Sequence, residues 1–272
     1  MTQRLLSVII VGARGRMGTT LVREVMDSDD LTLAACVDRS GGPGIGQDAG
    51  RLAGRPELGV LVNDELKPRR GSVVVDFSLP VATENNVRIC VEHGTPLIIG
   101  TTGLSEEDEN LITEASESIP VVKAPNFSVG VTLMLRLAGM AAGALGPAWE
   151  AELFELHHRH KRDSPSGTAL RIGQAVAEAT DRTFSEIALT DRSSRSAARE
   201  KQEIGVFGLR GGDSPGEHTL MFLGDGERIE LTHRAGDRAI FARGALRAAR
   251  WAAGQGPGLY DMFDVLGLSK GE

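Results

Sequence analysis

The first half of the chain alternates short runs that are apolar along their whole length with segments whose apolar residues recur at helical spacing. Strands of this kind lie in parallel sheets that are covered on both faces. Their alternation with helices predicts an α/β domain with a doubly wound parallel sheet of the Rossmann type. The predicted strands are residues 5–11, 31–37, 72–78, 95–100 and 120–124, and the predicted helices are residues 17–28, 82–93 and 105–117.

The second half of the chain has a different pattern. Residues 129–146 form one long predicted helix, and strands follow it, with one further helix over residues 167–180. Alternation of polar and apolar side chains is typical of a sheet with one face in water, so we expect an α+β domain with an open mixed sheet. The predicted strands are residues 149–156, 203–210, 218–224 and 228–235. In the first of them we expect Glu150, Glu152 and Glu155 to face water and Ala151, Leu153 and Phe154 to face the core.

These two patterns divide the 272 residues into two domains. We expect a dinucleotide-binding domain over residues 1–128, completed by residues 240–272, whose helix at 243–254 packs back on the first domain. A substrate-binding and oligomerisation domain is expected over residues 129–239. The polar stretch 181–201 is predicted to be a mobile loop.

Composition excludes several classes of protein. A net charge of -7 and only 4% aromatic residues argue against a nucleic-acid partner, which needs a basic face or stacking rings. We identify no apolar run of the roughly 20 residues that cross a bilayer, so no membrane is expected. Cys36 and Cys90, the two cysteines, each lie in an apolar segment. We therefore expect no disulfide, no metal and a cytoplasmic location.

A glycine-rich turn joins the first strand to the first helix. Gly12, Gly15 and Gly18 carry no Cβ, so backbone N–H groups there can approach a pyrophosphate at the positive end of the helix dipole. The spacing GxxGxxG is less usual than GxGxxG, but Asp38 lies 20 residues after Gly18, where an acid can accept hydrogen bonds from a ribose. Arg39 is placed to hold a ribose 2′-phosphate. The pair predicts that both NADH and NADPH bind.

Other turns are open to two interpretations. Arg14 and Arg16 either lie beside the phosphates or belong to a solvated turn. IGTTG (residues 99–103) and APNFS (residues 124–128) are ordinary turns or line the nicotinamide half of the cofactor site. Ligands of open α/β sheets bind beyond the carboxyl ends of the strands, and this location favours the second interpretation.

The stretch ELHHRHKRDSPSGTA (residues 155–169) gathers three histidines, a lysine and two arginines before a predicted helix. Ser166 is a good helix cap, and Gly167 and Thr168 would present backbone donors to an anion. The alternative is a solvated basic face beside an ordinary cap. We expect His157 to exchange protons, Lys161 to act as an ammonium acid or clamp, and His160 to be structural.

Six motifs spread over essentially the whole chain resemble one family. They are ELHHRHKRDSPSGTA, VGARGRMG, IGTTG, APNFSVGV, GEHT and GLYDMFDVLGL. The chain resembles the bacterial 4-hydroxy-tetrahydrodipicolinate reductase (dihydrodipicolinate reductase) family of the diaminopimelate and lysine pathway. The resemblance implies a homotetramer. It also implies that NADH or NADPH delivers hydride to C4 of a cyclic imine dicarboxylate, with loss of water, giving tetrahydrodipicolinate.

The resemblance also implies residue roles. His157 would be the general acid/base and Lys161 a second proton donor, and the substrate carboxylates would contact His158, Gly167 and Thr168. Thr132 departs from an asparagine common in the family, and Asp38 from a glutamate. The implied cofactor contacts are Gly12, Ala13, Arg14, Gly15, Arg16, Met17, Asp38, Arg39, Gly100, Thr101, Thr102, Ala124, Pro125, Asn126 and Phe127.

Two alternatives to this function remain at the level of sequence. A non-catalytic NAD(P)H sensor would keep the first domain and use the second to bind a partner. An amino-acid or semialdehyde dehydrogenase would share the glycine-rich turn. Neither of them requires the histidine and lysine cluster of residues 157–161.

Overall fold

The structure is a computed structural model that describes residues 5–193 and 196–268. The chain divides into two compact units. The first unit contains the residues up to Val129 and those from Arg238 onward, and the second unit is Gly130–Asp237. Residues 194–195 of the predicted loop and residues 269–272 of the predicted carboxyl-terminal segment lie outside the described residues.

The elements are numbered here in chain order. The strands are β1 Leu6–Val11, β2 Leu31–Val37, β3 Val62–Asn63, β4 Ser72–Asp76, β5 Leu97–Ile99, β6 Pro120–Lys123, β7 Glu150–His157, β8 Ala188–Leu189, β9 Ile204–Arg210, β10 Glu217–Gly224, β11 Glu227–Arg234 and β12 Gly258–Tyr260. The helices are α1 Arg16–Met26, α2 Ala49–Leu52, α3 Thr83–Glu92, α4 Glu106–Ser116, α5 Val129–Leu145, α6 Gly167–Glu178, α7 Phe184–Ile187, α8 Ala239–Ala252 and α9 Met262–Leu266.

The first unit is built on a seven-stranded sheet in the order β12-β6-β5-β4-β1-β2-β3, and every neighbouring pair is parallel. Val8 and Ile10 of β1 belong to a core cluster that includes side chains of α1 and α8, whereas Ile9 and Val11 belong to a second cluster with α3 and α4. Both faces of the sheet are therefore covered by helices. The prediction of a doubly wound parallel sheet is confirmed.

Helix α8 packs against α1 and β4, as the sequence predicts for the last long helix. Two ion pairs hold it to the first unit, one from Arg243 to Glu24 of α1 at 2.8 Å and one from Arg250 to Asp30, just before β2, at 2.6 Å. The carboxyl-terminal segment thus completes the first unit rather than the second.

The second unit contains a five-stranded mixed sheet in the order β11-β10-β7-β9-β8. β10 is antiparallel to β7 and β11, whereas β9 is parallel to β7 and β8. Helix α6 packs on β7 and β9 through a row of small and branched residues that includes Ile172 and Val176. The prediction of an open mixed sheet is confirmed.

Of the six side-chain facings predicted for β7, those of Phe154 and Glu155 are wrong, and the other four are confirmed. Phe154 is 39% exposed, whereas Glu155 is 0% exposed. Side chains of a strand alternate strictly between faces, so Glu155 shares the inner face with Ala151, Leu153 and His157. The prediction placed Phe154 inside because it is apolar and Glu155 outside because it is charged. The two-residue period of the strand alone assigns each of them to the opposite face.

Several short elements were not predicted. They include β3, which extends one edge of the parallel sheet, and β12, which pairs with β6 at the other edge. The polar stretch 181–201 was predicted as a loop, but it contains α7 and β8. Because β8 pairs with β9, this part of the stretch is fixed to the mixed sheet. The loop prediction is wrong for those residues.

Helix α5 and the turn after it span Val129–Ala148, 20 residues with a mean hydropathy of 1.5. By length and composition alone this segment is apolar enough to cross a membrane, so the expectation that no such run exists is wrong. A third of its most apolar 18 residues is buried inside the protein. Core helices of soluble proteins can be equally long and apolar. Thr132, the departure from the family pattern, is buried within this helix.

Candidate active site

The basic stretch lies at one end of the mixed sheet. β7 ends at His157, which is in register with Arg210 at the end of the parallel strand β9. On the other side of β7, Glu155 is in register with His218 of the antiparallel strand β10. The sheet thereby brings together four side chains that are up to 63 residues apart in the sequence.

Glu155 accepts hydrogen bonds on both carboxylate oxygens. Oε2 accepts from His157 Nδ1 at 2.5 Å and from Arg210 Nη1 at 2.8 Å. Oε1 accepts from Arg210 Nη2 at 2.9 Å and from the backbone N–H of Ser166 at 3.0 Å. A Cβ at Gly208 would lie 2.9 Å from Oε1, so this glycine leaves room for the carboxylate. A buried carboxylate is stable only with partners of this kind.

The donors around Glu155 keep it ionised. Burial raises the pKa of this carboxyl, but the hydrogen bonds from His157 and Arg210 outweigh burial and lower the pKa to about 2. An ionised carboxylate only accepts hydrogen bonds. Glu155 therefore holds the proton of the neutral His157 ring on Nδ1.

The second ring nitrogen of His157 lies against Gly216, the residue before β10. His157 is 7% exposed, and a Cβ at Gly216 would lie 2.7 Å from its Nε2. The backbone of Gly216 has a φ of 152°, and the absence of a side chain there leaves space beside Nε2. Since Nδ1 faces Glu155, Nε2 is the nitrogen that can exchange a proton with a ligand.

His218 lies next to His157, with the two rings edge to face and their centroids 5.3 Å apart. Its Nε2 is 3.2 Å from the hydroxyl of Ser166. Burial, and secondly the charge of His157, lowers the pKa of His218 to about 3. His218 is therefore neutral at physiological pH and adds no charge to the cluster.

Lys161 lies in the loop that follows β7. Its ammonium group is 3.0 Å from Asp163, and its side chain is mostly buried while that of Asp163 is exposed. The hydrogen bond from Lys161 lowers the pKa of Asp163. The backbone of the loop is held by bonds from Lys161 N–H to the His158 carbonyl at 3.0 Å and from His158 N–H to the Ser214 carbonyl at 2.9 Å.

The predicted helix terminus is confirmed as a structural element. Ser166 caps α6, and its hydroxyl accepts from the backbone N–H of Ala169 at 3.2 Å. A Cβ at Gly167 would meet no atom within 4 Å, so the first turn of the helix is open on this side. The N-terminus of α6 carries the positive end of the helix dipole. His160, expected to be structural, is exposed.

The first unit contains a pocket of about 540 Å³ beyond the carboxyl ends of β1 and β2. A Cβ at Gly12 would lie 2.7 Å from the Phe77 carbonyl oxygen, and a Cβ at Gly18 would overlap the backbone of the same turn. Only glycine fits at these two positions, and Gly12 also has a φ of 77°. The residues that line the pocket include Gly12, Arg14, Gly15, Asp38, Arg39, Phe77, Ser78, Leu79 and Asn86.

Asp38 is held in place at the rim of this pocket. Its Oδ2 accepts from the backbone N–H of Arg14 at 2.8 Å, and its Oδ1 accepts from the backbone N–H of Arg39 at 2.9 Å. The stem of the Arg14 side chain lies against Gly44, where a Cβ would overlap it. Two aspartates, Asp38 and Asp64, and two arginines, Arg14 and Arg39, thus line one pocket. Asp38, with the arginines beside it, fits the ribose end of a nicotinamide dinucleotide.

The remaining predicted cofactor residues differ in their contacts and in their burial. Gly100 lies against the Phe77 ring, which is 5.6 Å from the ring of buried Phe127. Thr101 is buried and donates to the Ser78 carbonyl at 3.3 Å, and Asn126 accepts from the Ser128 N–H at 2.8 Å. Buried positions are occupied by Ala13 and Ala124, Met17 packs against the core, and Arg16, Thr102 and Pro125 are exposed.

Four residues of the second unit were absent from the predicted site or had only a structural role there. Glu155 was assigned to the wet face, Arg210 and His218 had no role, and Ser166 was only a cap. The strand period identifies Glu155 as inward-facing, because it is two residues before His157. The motif GEHT already contains His218. Arg210 could not be found this way, because its partner lies 55 residues away.

The glycine-lined nucleotide pocket of the first unit and the buried histidine of the second define a nicotinamide-dependent reductase. Family models for the N-terminus and C-terminus of dihydrodipicolinate reductase match residues 6–127 and 130–266. The chain therefore belongs to the dihydrodipicolinate reductase family, and it is an oxidoreductase that uses NADH or NADPH.

Individual relatives agree with this membership. The 4-hydroxy-tetrahydrodipicolinate reductase of Alkalilimnicola ehrlichii is 49% identical over 96% of this chain and 98% of its own. The 4-hydroxy-tetrahydrodipicolinate reductase of Magnetococcus marinus is 48% identical over 97% of this chain and 99% of its own. A solved structure, the dipicolinate-bound dihydrodipicolinate reductase from Paenisporosarcina sp. TG-14, has 23% identity and a TM-score of 0.75 over 96% of this chain and 98% of that one. This last similarity shows the shared fold.

Proposed function

We propose that the chain reduces 4-hydroxy-tetrahydrodipicolinate to tetrahydrodipicolinate, with hydride from NADH or NADPH, in diaminopimelate and lysine biosynthesis. The observation that carries this proposal is the buried His157, which is bound to ionised Glu155 at 2.5 Å and ends the strand β7 that leads into the loop containing Lys161. A sensor that only binds the cofactor does not need such an acid/base group.

His157 is the proposed general acid/base and Lys161 the proposed second proton donor. Addition of hydride to a conjugated imine leaves an electron-rich enamine, which must then be protonated. His157 can supply that proton from Nε2, because Nδ1 is held by Glu155. Loss of the 4-hydroxyl group as water also requires a proton donor near the substrate.

The two substrate carboxylates are assigned to the loop and the start of α6. His158, Gly167 and Thr168 would contact them, with the helix dipole and the Lys161 ammonium supplying positive potential. The open space around Gly167 supports this assignment, because a carboxylate can approach the helix terminus there.

The cofactor residues of the first unit are assigned to the groups they can bind. Gly12 and Gly15 would approach the pyrophosphate, Asp38 the ribose hydroxyls, and Arg14 and Arg39 the 2′-phosphate of NADPH. The turns at 99–103 and 124–128 would bind the nicotinamide half. When bound, the cofactor supplies the hydride. The first unit is thus the proposed dinucleotide-binding domain, and the second the substrate-binding and oligomerisation domain.

Turnover with the correct substrate tests the proposed reaction. The freshly condensed product of pyruvate and aspartate semialdehyde should oxidise both NADH and NADPH, measured as loss of absorbance of the reduced nicotinamide. Simple 2-oxo acids with ammonia should give no signal. Activity on an oxo acid without activity on the condensed product would instead favour the amino-acid dehydrogenase alternative.

Arg39→Ala is expected to weaken NADPH binding roughly tenfold and to leave NADH binding nearly unchanged. A charge-assisted hydrogen bond is worth about 1.5 to 3 kcal/mol, and only NADPH has the 2′-phosphate that accepts it. Fluorescence titration with each cofactor measures the two dissociation constants. Arg51→Ala, which removes an exposed arginine paired with Glu57, is the control. Equal losses for both cofactors would count against the assignment.

We further propose a cytoplasmic homotetramer assembled through the second unit. Phe154 and Leu209 lie on the outer face of the mixed sheet, and both are exposed. Leucine and methionine side chains at positions 133, 137 and 140 of α5 are exposed as well. Exposed apolar side chains of this size favour association, and a second copy of the chain is the partner proposed here.

Phe154→Asp is expected to reduce the mass of the assembly, because it places a charge on the proposed contact face. Light scattering after gel filtration measures the mass, and circular dichroism tests whether the fold is retained. Leu259→Asp changes a leucine of similar exposure in the first unit and should leave the mass unchanged. An unchanged mass in a folded Phe154→Asp variant would exclude this face.

A further inference from the structure

Glu155, which is fully buried, and Arg210, which is partly buried, form a pair of opposite charges at Nδ1 of His157. The guanidinium donates to both oxygens of the carboxylate, at 2.8 and 2.9 Å. Such a bidentate pair fixes the orientation of both groups. The carboxylate in turn fixes the His157 ring through Nδ1 at 2.5 Å.

Arg210 also connects this pair to the loop that contains Lys161. Its Nη2 donates to the backbone carbonyl of Asp163, whose carboxylate is paired with Lys161. Ser166 N–H, at the start of α6, donates to the same Glu155 carboxylate. One ion pair therefore contacts β7, β9, the loop and the helix terminus, four of the segments that form the candidate site.

The charges of the pair act on His157 in opposite directions. The Glu155 carboxylate stabilises a protonated His157, and Arg210 opposes it, because a guanidinium repels an imidazolium ion. With both present, the pair has no net charge. An acid/base group must both bind and release its proton, and a carboxylate without a counterion would shift that balance towards binding.

We propose that Glu155 and Arg210 are positioning residues for the reduction. Glu155 holds His157 in the tautomer that leaves Nε2 for the substrate, and Arg210 balances the carboxylate so that His157 can release its proton. The inference rests on the proposed acid/base role of His157. It adds two residues that act through His157.

Other titratable groups lie on the elements around His157, and the ring of His218 is in contact with it. Neutral His218 lies on β10, followed on β11 by His233, whose burial lowers its pKa. Lys161 and Asp163 lie on the loop. These groups are the same in each variant below, so a change in the pH profile reports the removed member of the pair.

The two variants are expected to shift the pH profile of turnover in opposite directions. Protonated His157 is the acid, so turnover falls as the pH rises. Glu155→Gln leaves the Arg210 charge unbalanced, and the fall in turnover should move to lower pH. Arg210→Gln leaves the carboxylate unbalanced, and the fall should move to higher pH. In each variant kcat should drop about tenfold or more, with an unchanged dissociation constant for NADH.

If Glu155 and Arg210 only stabilised the fold, the two variants would not shift the pH profile of turnover in opposite directions. Shifts in the same direction, or none in a variant that melts and binds NADH as the wild type does, would overturn the proposal. Glu84→Gln and Arg88→Gln remove the members of an exposed pair on α3 and should leave the profile unchanged.

A second measurement does not depend on the variants folding. Nitrogen-15 NMR of the unmodified protein should show neutral His157 with its proton on Nδ1, and a proton on Nε2 would overturn the proposal. This readout also separates the two hypotheses. If His157→Gln retained turnover, the acid/base role would fail, whereas the tautomer would still report whether Glu155 positions the ring.

Discussion

Replacing His157 by glutamine is expected to lower kcat by about a hundredfold or more, which is the usual contribution of a positioned acid/base group. Glutamine keeps the polarity and approximate length of histidine but cannot transfer a proton at neutral pH. Cofactor affinity should be nearly unchanged, because His157 lies in the second unit and the nucleotide pocket is lined by the first. Steady-state kinetics and NADH fluorescence titration measure the two quantities.

His160→Gln is the matched control for this prediction. His160 lies on the loop that follows β7, three residues after His157, is exposed and was expected to be structural. Its substitution should leave kcat within about twofold of the wild type, since surface substitutions away from special features have small effects. Retained turnover in a folded His157→Gln variant would refute the acid/base assignment, and loss of NADH binding would point to a misfolded protein.

The parallel sheet was predictable because its signals are local. Each of its main strands is a largely apolar run bounded by polar residues. Because such strands are buried on both faces, they can be recognised without an alternation of polar and apolar side chains. The glycine-rich turn and Asp38 were also recognisable from spacing alone, and the structure places Gly12, Gly15 and Asp38 around one pocket. The two-residue strand β3 and the three-residue strand β12 carry too few residues for such a pattern.

The centre of the candidate site was less predictable because its partners are distant in the sequence. A glutamate in an alternating strand normally faces water, and that rule fails at Glu155 because Arg210, on β9, neutralises its charge. Phe154 is the converse case, an aromatic residue on the outer face. Departures of this kind, where a local rule is broken with a compensating partner, are expected at functional sites.

Lys161→Ala is the second prediction with a large expected effect. We expect kcat to fall by about a hundredfold or more, with cofactor affinity nearly unchanged, because the variant removes both an ammonium charge and a proton donor. Its partner Asp163 is exposed and would be solvated after the substitution, so the fold should be retained. Stopped-flow turnover measures kcat, NADH fluorescence titration measures cofactor affinity, and a thermal melt tests whether the fold is retained.

Lys161→Arg separates the two roles that an ammonium group can have here. Arginine keeps the positive charge, but it does not give up a proton at physiological pH. Loss of the charge in Lys161→Ala should also raise the KM for the substrate. If Lys161 donates a proton, the arginine variant should have the wild-type KM while its kcat stays low. Recovery of both parameters would show that Lys161 acts only as an electrostatic clamp for the carboxylates. Wild-type kinetics in Lys161→Ala would exclude both roles and leave His157 as the sole proposed proton donor.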